Sequence, residues 1–339
     1  MKYNLLGKTG LWVSEICLGT MTFGAKGKFA AVGGVDQKGA DALVTQAIDA
    51  GVNFIDTANV YSEGISEEMT GKAIKHLGIS RDDLILATKV RGTMGEKPNQ
   101  KGLSRKHIID QVEASLKRLD TDYIDLYQIH SNDPITPIDE TLRALDDLVR
   151  SGKVRYIGAS NVAAWQLMKA LDYSYYNNLE RFNSLQAYYT LAGRDLEREI
   201  IPLLEDQQVG LMVWSPLAGG LLSGKYDRNS KKKSGGRRDN FDFPPVNEER
   251  AFNIIDVLRP MAKENGVSMA QLSIAWLLKQ KAVSTVIVGA KKTEQLEENL
   301  NASKIEFSKD DFEKLEKVSK LEREYPGWML DVTKVDREL

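Results

Sequence analysis

The sequence predicts a closed (β/α)8 TIM barrel with an N-terminal β-hairpin on its floor and a long loop after the seventh barrel strand. Three observations lead there. Eight short β-branched or apolar runs alternate with longer stretches of helical period, the runs are apolar on both faces, and no two of the 27 glycines stand two positions apart. Alternation with helices and two apolar faces indicate a parallel sheet buried under helices. The glycine spacing excludes the G-x-G-x-x-G fingerprint of an open dinucleotide-binding sheet, so closure is favoured.

The elements follow in order. Tyr3-Asn4-Leu5-Leu6 and Leu11-Trp12-Val13 flank Gly7-Lys8-Thr9-Gly10, which reads as a hairpin closing the barrel floor. The eight barrel runs are Ser14-Glu15-Ile16-Cys17-Leu18-Gly19, Asn53-Phe54-Ile55-Asp56, Leu84-Ile85-Leu86-Ala87-Thr88-Lys89, and the run from Tyr123 to His130. Val154-Arg155-Tyr156-Ile157-Gly158, Phe182-Asn183-Ser184-Leu185-Gln186, Gly210-Leu211-Met212-Val213-Trp214 and Thr285-Val286-Ile287-Val288-Gly289 complete the set. Between them, residues 40–50 put Leu43, Val44 and Ile48 on one face, and residues 105–119 do the same with Ile108, Val112, Leu116 and Leu119. Residues 24–34 and 217–247 are irregular; the second connection is far longer than the usual few residues. No composition shift marks a linker, so residues 1–339 read as one domain.

Composition narrows the function classes. The chain carries 46 Lys plus Arg against 48 Asp plus Glu, a formal charge of -2, which gives no field to hold nucleic acid. Its length supports a sizeable core without disulfide or metal. The lone Cys17 suits a reducing compartment, and no run approaches the roughly 20 apolar residues of a membrane span. The start lacks the apolar core of a signal peptide, so the expectation is a cytoplasmic enzyme without nucleic-acid or membrane partners. With three dispersed His, no His-Glu-x-x-His and no Cys pair, no metal site is expected. No G-x-S-x-G elbow occurs either.

In such a barrel the active site lies at the carboxyl ends of the strands. The polar residues there are Asp56, Tyr61 in the following loop, Lys89 and His130. Together they suit proton delivery to a carbonyl oxygen. A phenol is a proton donor of modest acidity, an adjacent ammonium lowers its pKa, an aspartate keeps the ammonium charged, and an imidazole offers a second hydrogen bond to the same oxygen. None of the four is a hydride source, which points to a cofactor, with a nicotinamide the simplest candidate. Taken singly, each residue has a plainer reading: Asp56 with Lys89 as a structural ion pair, Tyr61 as a half-buried aromatic, His130 as a core histidine.

Several runs resemble the aldo-keto reductase family. They are Gly51-Val52-Asn53-Phe54-Ile55-Asp56-Thr57-Ala58 with Tyr61 and Gly64-Ile65-Ser66-Glu67, Ala87-Thr88-Lys89-Val90, the segment from Leu119 to His130, Gly152 to Asn161, and Ser215 to Tyr226. The resemblance spans nearly the whole chain. It implies that Asp56, Tyr61, Lys89 and His130 form a catalytic tetrad with Tyr61 as general acid, and that NADPH lies extended across the mouth. It further implies that Ser160, Asn161 and Gln186 hold the nicotinamide carboxamide, that Trp214 stacks on the ring, and that Gly19, Thr20 and Met21 border the ribose.

By the same resemblance, Ser215, Pro216, Leu217, Gly219, Leu222 and Lys225 carry the pyrophosphate, and Gly289, Lys291, Gln295, Glu298 and Asn299 take the adenosine end. Lys291 and Lys292 suit a 2′-phosphate and favour NADP over NAD. Some family branches place Arg where Gln295 stands, so the bidentate grip of a guanidinium is absent here. The basic stretch 231–238 reads either as a belt over the pyrophosphate or as a solvated loop. Met94, Tyr325 and Trp328 are candidates for a substrate pocket, and His76 and His107 read as surface residues. The implied activity is reversible reduction of a small-molecule aldehyde or ketone to an alcohol. Two other readings stay open: a nicotinamide-sensing accessory subunit, and an aldolase-like barrel in which Lys89 forms a Schiff base. Substrate, direction and oligomeric state are not specified.

Overall fold

Residues 1–228, 237–239 and 241–334 are described by the computed structural model. Two short strands, β1 (Tyr3–Leu5) and β2 (Trp12–Ser14), pair antiparallel and precede the barrel. The barrel strands are β3 (Ile16–Gly19), β4 (Phe54–Asp56), β5 (Ile85–Val90), β6 (Ile124–Ile129), β7 (Val154–Ser160), β8 (Phe182–Tyr188), β9 (Gly210–Trp214) and β10 (Val283–Val288). They pair parallel in chain order, and β10 closes on β3 with Val286 opposite Ile16. All eight runs read from the sequence are strands, within a few residues at each end.

Helices fill the crossovers: α1 (Gln37–Asp49), α2 (Ile65–His76), α3 (Arg105–Leu119), α4 (Ile138–Arg150), α5 (Ala164–Asn177) and α6 (Ile200–Gln207). After β9 come α7 (Glu248–Glu264) and α8 (Met269–Leu278), and after β10 come α9 (Thr293–Leu300), α10 (Lys309–Ser319) and α11 (Gly327–Lys334). Local chemistry sets their ends. Ser104 accepts from the His107 amide to start α3, Asp120 ends it in a left-handed conformation (φ 53°), and Ser268 with Gln271 forms a capping box on α8. The α3 face at Ile108, Val112, Leu116 and Leu119 is buried, as its spacing predicts.

Strand period sorts side chains into two layers. Cys17, Phe54, Ala87, Leu126, Met212 and Ile287 point inward and pack with Leu6 and Val13 of the hairpin. Leu6 and Val13 are fully buried, so the hairpin plugs the end where the strands begin. Backbone contacts fix the plug: the Lys8 amide donates to Gln208 O at 2.8 Å, and Asn4 Nδ2 donates to Ser284 O at 2.9 Å. Gly7 has φ +60°, and a Cβ there would meet Asn183 O at 2.5 Å, so this turn requires glycine. Outward residues such as Thr88, Tyr127 and Ile129 meet the helices.

His107 departs from its expected surface position. Its imidazole is wholly buried at the start of α3, and burial pushes its pKa below the ordinary value against the opposing pull of backbone contacts at Gly92 and Asn99. The 3.6-residue period places position 107 beside Ile108 on the covered side, a placement the polarity of His concealed. His76 is exposed and meets Asp41 at 3.1 Å. Residues 229–236, which contain most of the basic stretch, lie outside the described residues. Within that stretch Arg238 donates to Ala218 O at 3.2 Å and Pro244 O at 2.8 Å, anchoring the described part of the long connection to the mouth.

Candidate active site

The strand ends converge as the topology requires. Asp56 is the last residue of β4, Lys89 the penultimate residue of β5, and His130 follows β6 directly. Tyr61 opens a tight turn, Tyr61–Gly64, in which Ser62 and Glu63 take φ 48° and 58°. Lys89 Nζ donates to Asp56 Oδ2 at 2.5 Å, to Thr57 O at 2.8 Å and to the Tyr61 hydroxyl at 3.4 Å. The Tyr61 ring packs edge-on against His130, 5.8 Å between centroids, and against Phe29 at 5.2 Å. All four residues predicted from the strand ends are therefore in one place.

Burial and charge determine their protonation. Lys89 is fully buried; burial favours its neutral amine, but Asp56 and Tyr61 outweigh that, and its pKa rises above the ordinary value. The ammonium is retained. Burial raises the Tyr61 pKa, and the opposing pull of Lys89 does not cancel it, so the phenol stays protonated. The ammonium acts in the direction the sequence reading expects, pulling the phenol's pKa down, but burial, which that reading does not weigh, raises it by more. His130 is pushed down to about 3, first by burial and then by Lys89, Lys28 and Arg91, so it is neutral near pH 7. Asp56 Oδ1 also accepts from Gln128 Nε2 at 3.0 Å and Gln186 Nε2 at 2.9 Å, which fixes the carboxylate from below.

The second group of predicted residues lines the same end. Gly19 lies beside Asp56 in register, and Met21 packs with Ala58, Val60 and Tyr61. Thr20 is fully buried, its hydroxyl 2.8 Å from Ser66 Oγ, so that side chain locks two loops together. Ser160 Oγ donates to Gln186 O at 2.8 Å; Asn161, at φ 50°, donates to His130 O at 2.9 Å and accepts from Trp214 Nε1 at 3.1 Å. Gln186 aims its amide at Asp56 and Gln128, toward the barrel axis. Trp214 lies between Tyr188, at 5.1 Å, and Phe243 of the long connection, stacked at 5.8 Å and 4°.

Beyond Trp214 the chain turns through left-handed positions at Ser215, Ala218, Gly219 and Gly220, with φ from 51° to 94°. Ser215 Oγ accepts from the Gly219 amide at 2.9 Å, and Pro216 O accepts from Thr190 Oγ1 at 2.8 Å. Leu217 is half-buried, Leu222 is buried in the core and Lys225 is exposed. After β10, Gly289 and Lys291 are exposed, Gln295 accepts from the Lys291 amide at 3.1 Å, Glu298 is half-buried and Asn299 is buried.

Other site residues were not singled out from the sequence. Gln128 is two positions before His130, so strand alternation alone places it on the same inward face. Phe29 comes from an irregular segment with no periodicity to read, and Arg237 is read from the sequence only as part of the basic stretch 231–238, not as a neighbour of the tetrad. Met94 does pack beside Tyr61, whereas Tyr325 and Trp328 contact each other on the exposed tail, 5.9 Å between centroids.

The sequence model of the Aldo/keto reductase family matches residues 15–320. The chain belongs to that family. Among similar proteins is a probable voltage-gated potassium channel subunit beta from Oryza sativa subsp. japonica, 40% identical over 89% of this chain and 91% of its own. The uncharacterized oxidoreductase YrpG of Bacillus subtilis (strain 168) is 37% identical, covering 91% and 93%. Versiconal hemiacetal acetate reductase of Aspergillus parasiticus is 34% identical, covering 96% and 99%.

In this aldo/keto reductase, several polar residues of the recognised runs brace the site from outside the barrel. Glu67 is fully buried, accepting from Thr88 Oγ1 at 2.5 Å and Arg118 Nε at 2.6 Å, which holds β5 against α2 and α3. Asp125 accepts from Arg81 Nη2 at 2.5 Å and from the Leu86 amide at 2.9 Å, tying β6 to β5. Among the described residues no helix is long and apolar enough to cross a membrane.

Proposed function

We propose that this aldo/keto reductase reduces aldehyde or ketone carbonyls with NADPH, reversibly, and that Tyr61 is its general acid. One observation carries the reading: the buried Tyr61 hydroxyl stands 3.4 Å from the Lys89 amine, which is itself held by Asp56. Tyr61 would donate its proton to the carbonyl oxygen, and Lys89 would stabilise the phenolate left behind. Neutral His130 can donate a hydrogen bond to the same oxygen without placing a second cation beside Lys89. Gln128 and Gln186 keep Asp56 oriented, so the ammonium is held rather than free to swing.

The residues present fit the cofactor. The left-handed backbone at Ser215–Gly220 suits a phosphate-binding concavity, and the exposed Lys291 and Lys292 stand where α9 begins without a side-chain cap. Trp214, with Ser160 and Asn161 beside it, offers an aromatic face and polar edge for the nicotinamide. When bound, NADPH supplies the hydride that these side chains lack. Tyr61→Phe tests the assignment: turnover should fall by roughly 10²–10⁴-fold, the range for a lost general acid or base, with NADPH affinity unchanged. Turnover within twofold of wild type would refute it.

The similarity to the channel subunit supports a second reading, an accessory subunit that reports nicotinamide state with slow catalysis. It requires a copurifying partner and negligible turnover across aldehydes and ketones. Steady reduction of a small carbonyl compound by the isolated chain would count against it.

A further inference from the structure

The mouth above the tetrad carries three cations outside the tetrad; two of them, Lys28 and Arg91, have no part in the cofactor reading, and the third, Arg237, lies in the basic stretch also read as a belt over the pyrophosphate. Lys28 Nζ sits 5.3 Å from the centroid of Phe29, the ring that packs against Tyr61. Arg91 follows β5 directly, one residue past the Val90 carbonyl that receives the His130 amide, and holds φ +123°. Arg237 lies over Phe241, 5.3 Å away, and Phe241 leads through Phe243 to Trp214. The three come from separate connections, after β3, β5 and β9.

Among the described residues, Arg91 Nε and Arg237 Nε are buried guanidinium nitrogens with no hydrogen-bond partner. A buried donor without an acceptor costs about 1–3 kcal/mol, more for a charged group, so it is an unusual feature unless something else supplies the acceptor. Among the described residues, no carboxylate is ion-paired with Lys28, Arg91 or Arg237. Nearby acids are already engaged. Glu63 meets Lys26 at 3.0 Å, and Asp133 accepts from the Leu103 amide at 2.7 Å and from Thr136 Oγ1 at 2.7 Å. Asp56 belongs to Lys89.

We propose that this mouth selects carbonyl substrates bearing an oxyanion, a carboxylate or a phosphate, and that Arg91, Arg237 and Lys28 hold that group while the carbonyl meets Tyr61 and His130. The inference rests on the reductase reading. All three cations are close enough to act on the reacting pair: Lys28 and Arg91 disfavour protonated His130, and Arg237 favours ionised Tyr61. The planar forks of two arginines suit a bidentate oxyanion, and a half-buried site is screened less by salt than an open surface.

The test compares NADPH oxidation with 4-formylbenzoate, 4-formylphenyl phosphate and methyl 4-formylbenzoate, the last being neutral. In the wild type at least one anionic aldehyde should exceed the ester about tenfold or more in kcat/KM, mainly through KM, and which anion wins separates carboxylate from phosphate. Raising the salt to half-molar should shrink the preference. Arg91→Gln should lower the anion-to-ester ratio at least fivefold, and Arg91→Lys should restore part of it. If the glutamine variant does not fold, Arg237→Gln and Lys28→Gln carry the same comparison. Calorimetric titration with terephthalate, which has no carbonyl to reduce, should give binding that weakens in the same variants. An ester reduced as well as both anions overturns this inference and leaves the reductase reading intact. An anion preference that survives all three substitutions also overturns it. If no compound, including benzaldehyde, is reduced, both readings fall.

Discussion

The ammonium of Lys89 stands 3.4 Å from the phenolic oxygen of Tyr61, with no solvent reaching the lysine. Such a charge survives burial only beside its counter-ion, and Asp56 Oδ2 at 2.5 Å is that counter-ion. In the proposed mechanism the pair serves stability and proton chemistry at once, and the two roles can be separated.

Asp56→Asn leaves the buried ammonium uncompensated. Removing one partner of a buried pair costs about 3–5 kcal/mol, so the urea midpoint should fall and turnover should drop at least roughly 100-fold. Adding Lys89→Met to Asp56→Asn removes the stranded charge; stability should return in part, whereas turnover should not. An Asp56→Asn protein that unfolds at the wild-type urea concentration would show that the pair is not holding the charge.

The pH dependence of stability follows from His130. Its folded pKa is about 3 against an ordinary value of about 6.5, so the unfolded chain binds the extra proton first. Stability from this group is complete above about pH 7 and is lost as pH falls from about 6.5 toward 3. At pH 5 the loss is at most about 2 kcal/mol, because the imidazole is partly open to the mouth. His107, also lowered, acts in the same direction. Unfolding at pH 7.5 and pH 5 should show a smaller difference for His130→Asn than for wild type; equal differences would contradict the assignment.

Much of this arrangement is visible in the chain itself, and the exceptions have physical causes. The eight strands are legible because a barrel buries both faces of each, which leaves unmistakable apolar runs. Asp56, Lys89 and His130 stand out because each is a polar residue where such a run ends. Gln128 is equally well specified by alternation, but an amide inside a strand looks unremarkable until Asp56 is seen to need a second support. The net pKa of Tyr61 is not legible, since it depends on how far burial outweighs Lys89, a balance set by packing. Arg91 and Arg237 carry no pattern because loop conformation, not periodicity, aims them.

The floor and the mouth are at opposite ends, so stability and activity should respond separately to mutation. Leu6 is fully buried with Val13 and Met212 in the inner cluster. Leu6→Ala should cost about 2–5 kcal/mol, the range for a large-to-small core change, while kcat at temperatures where the protein stays folded should remain near wild type. A loss of kcat comparable to that of Tyr61→Phe would mean that the plug shapes the site itself.

Cofactor choice is the remaining consequence of charge. Lys291 and Lys292 are exposed at the start of α9, where the helix has no side-chain cap and its amide dipoles add to the positive potential. Only NADPH carries the 2′-phosphate that would use this potential. Charge-assisted contacts are each worth about 1.5–3 kcal/mol, so Lys291→Glu with Lys292→Glu should raise the KM for NADPH roughly tenfold or more while leaving that for NADH nearly unchanged. Gln295 engages the Lys291 amide and so orders the turn that presents the two lysines. Stopped titrations of both nucleotides against the double variant decide the matter: equal weakening toward NADPH and NADH would place the 2′-phosphate somewhere other than the start of α9.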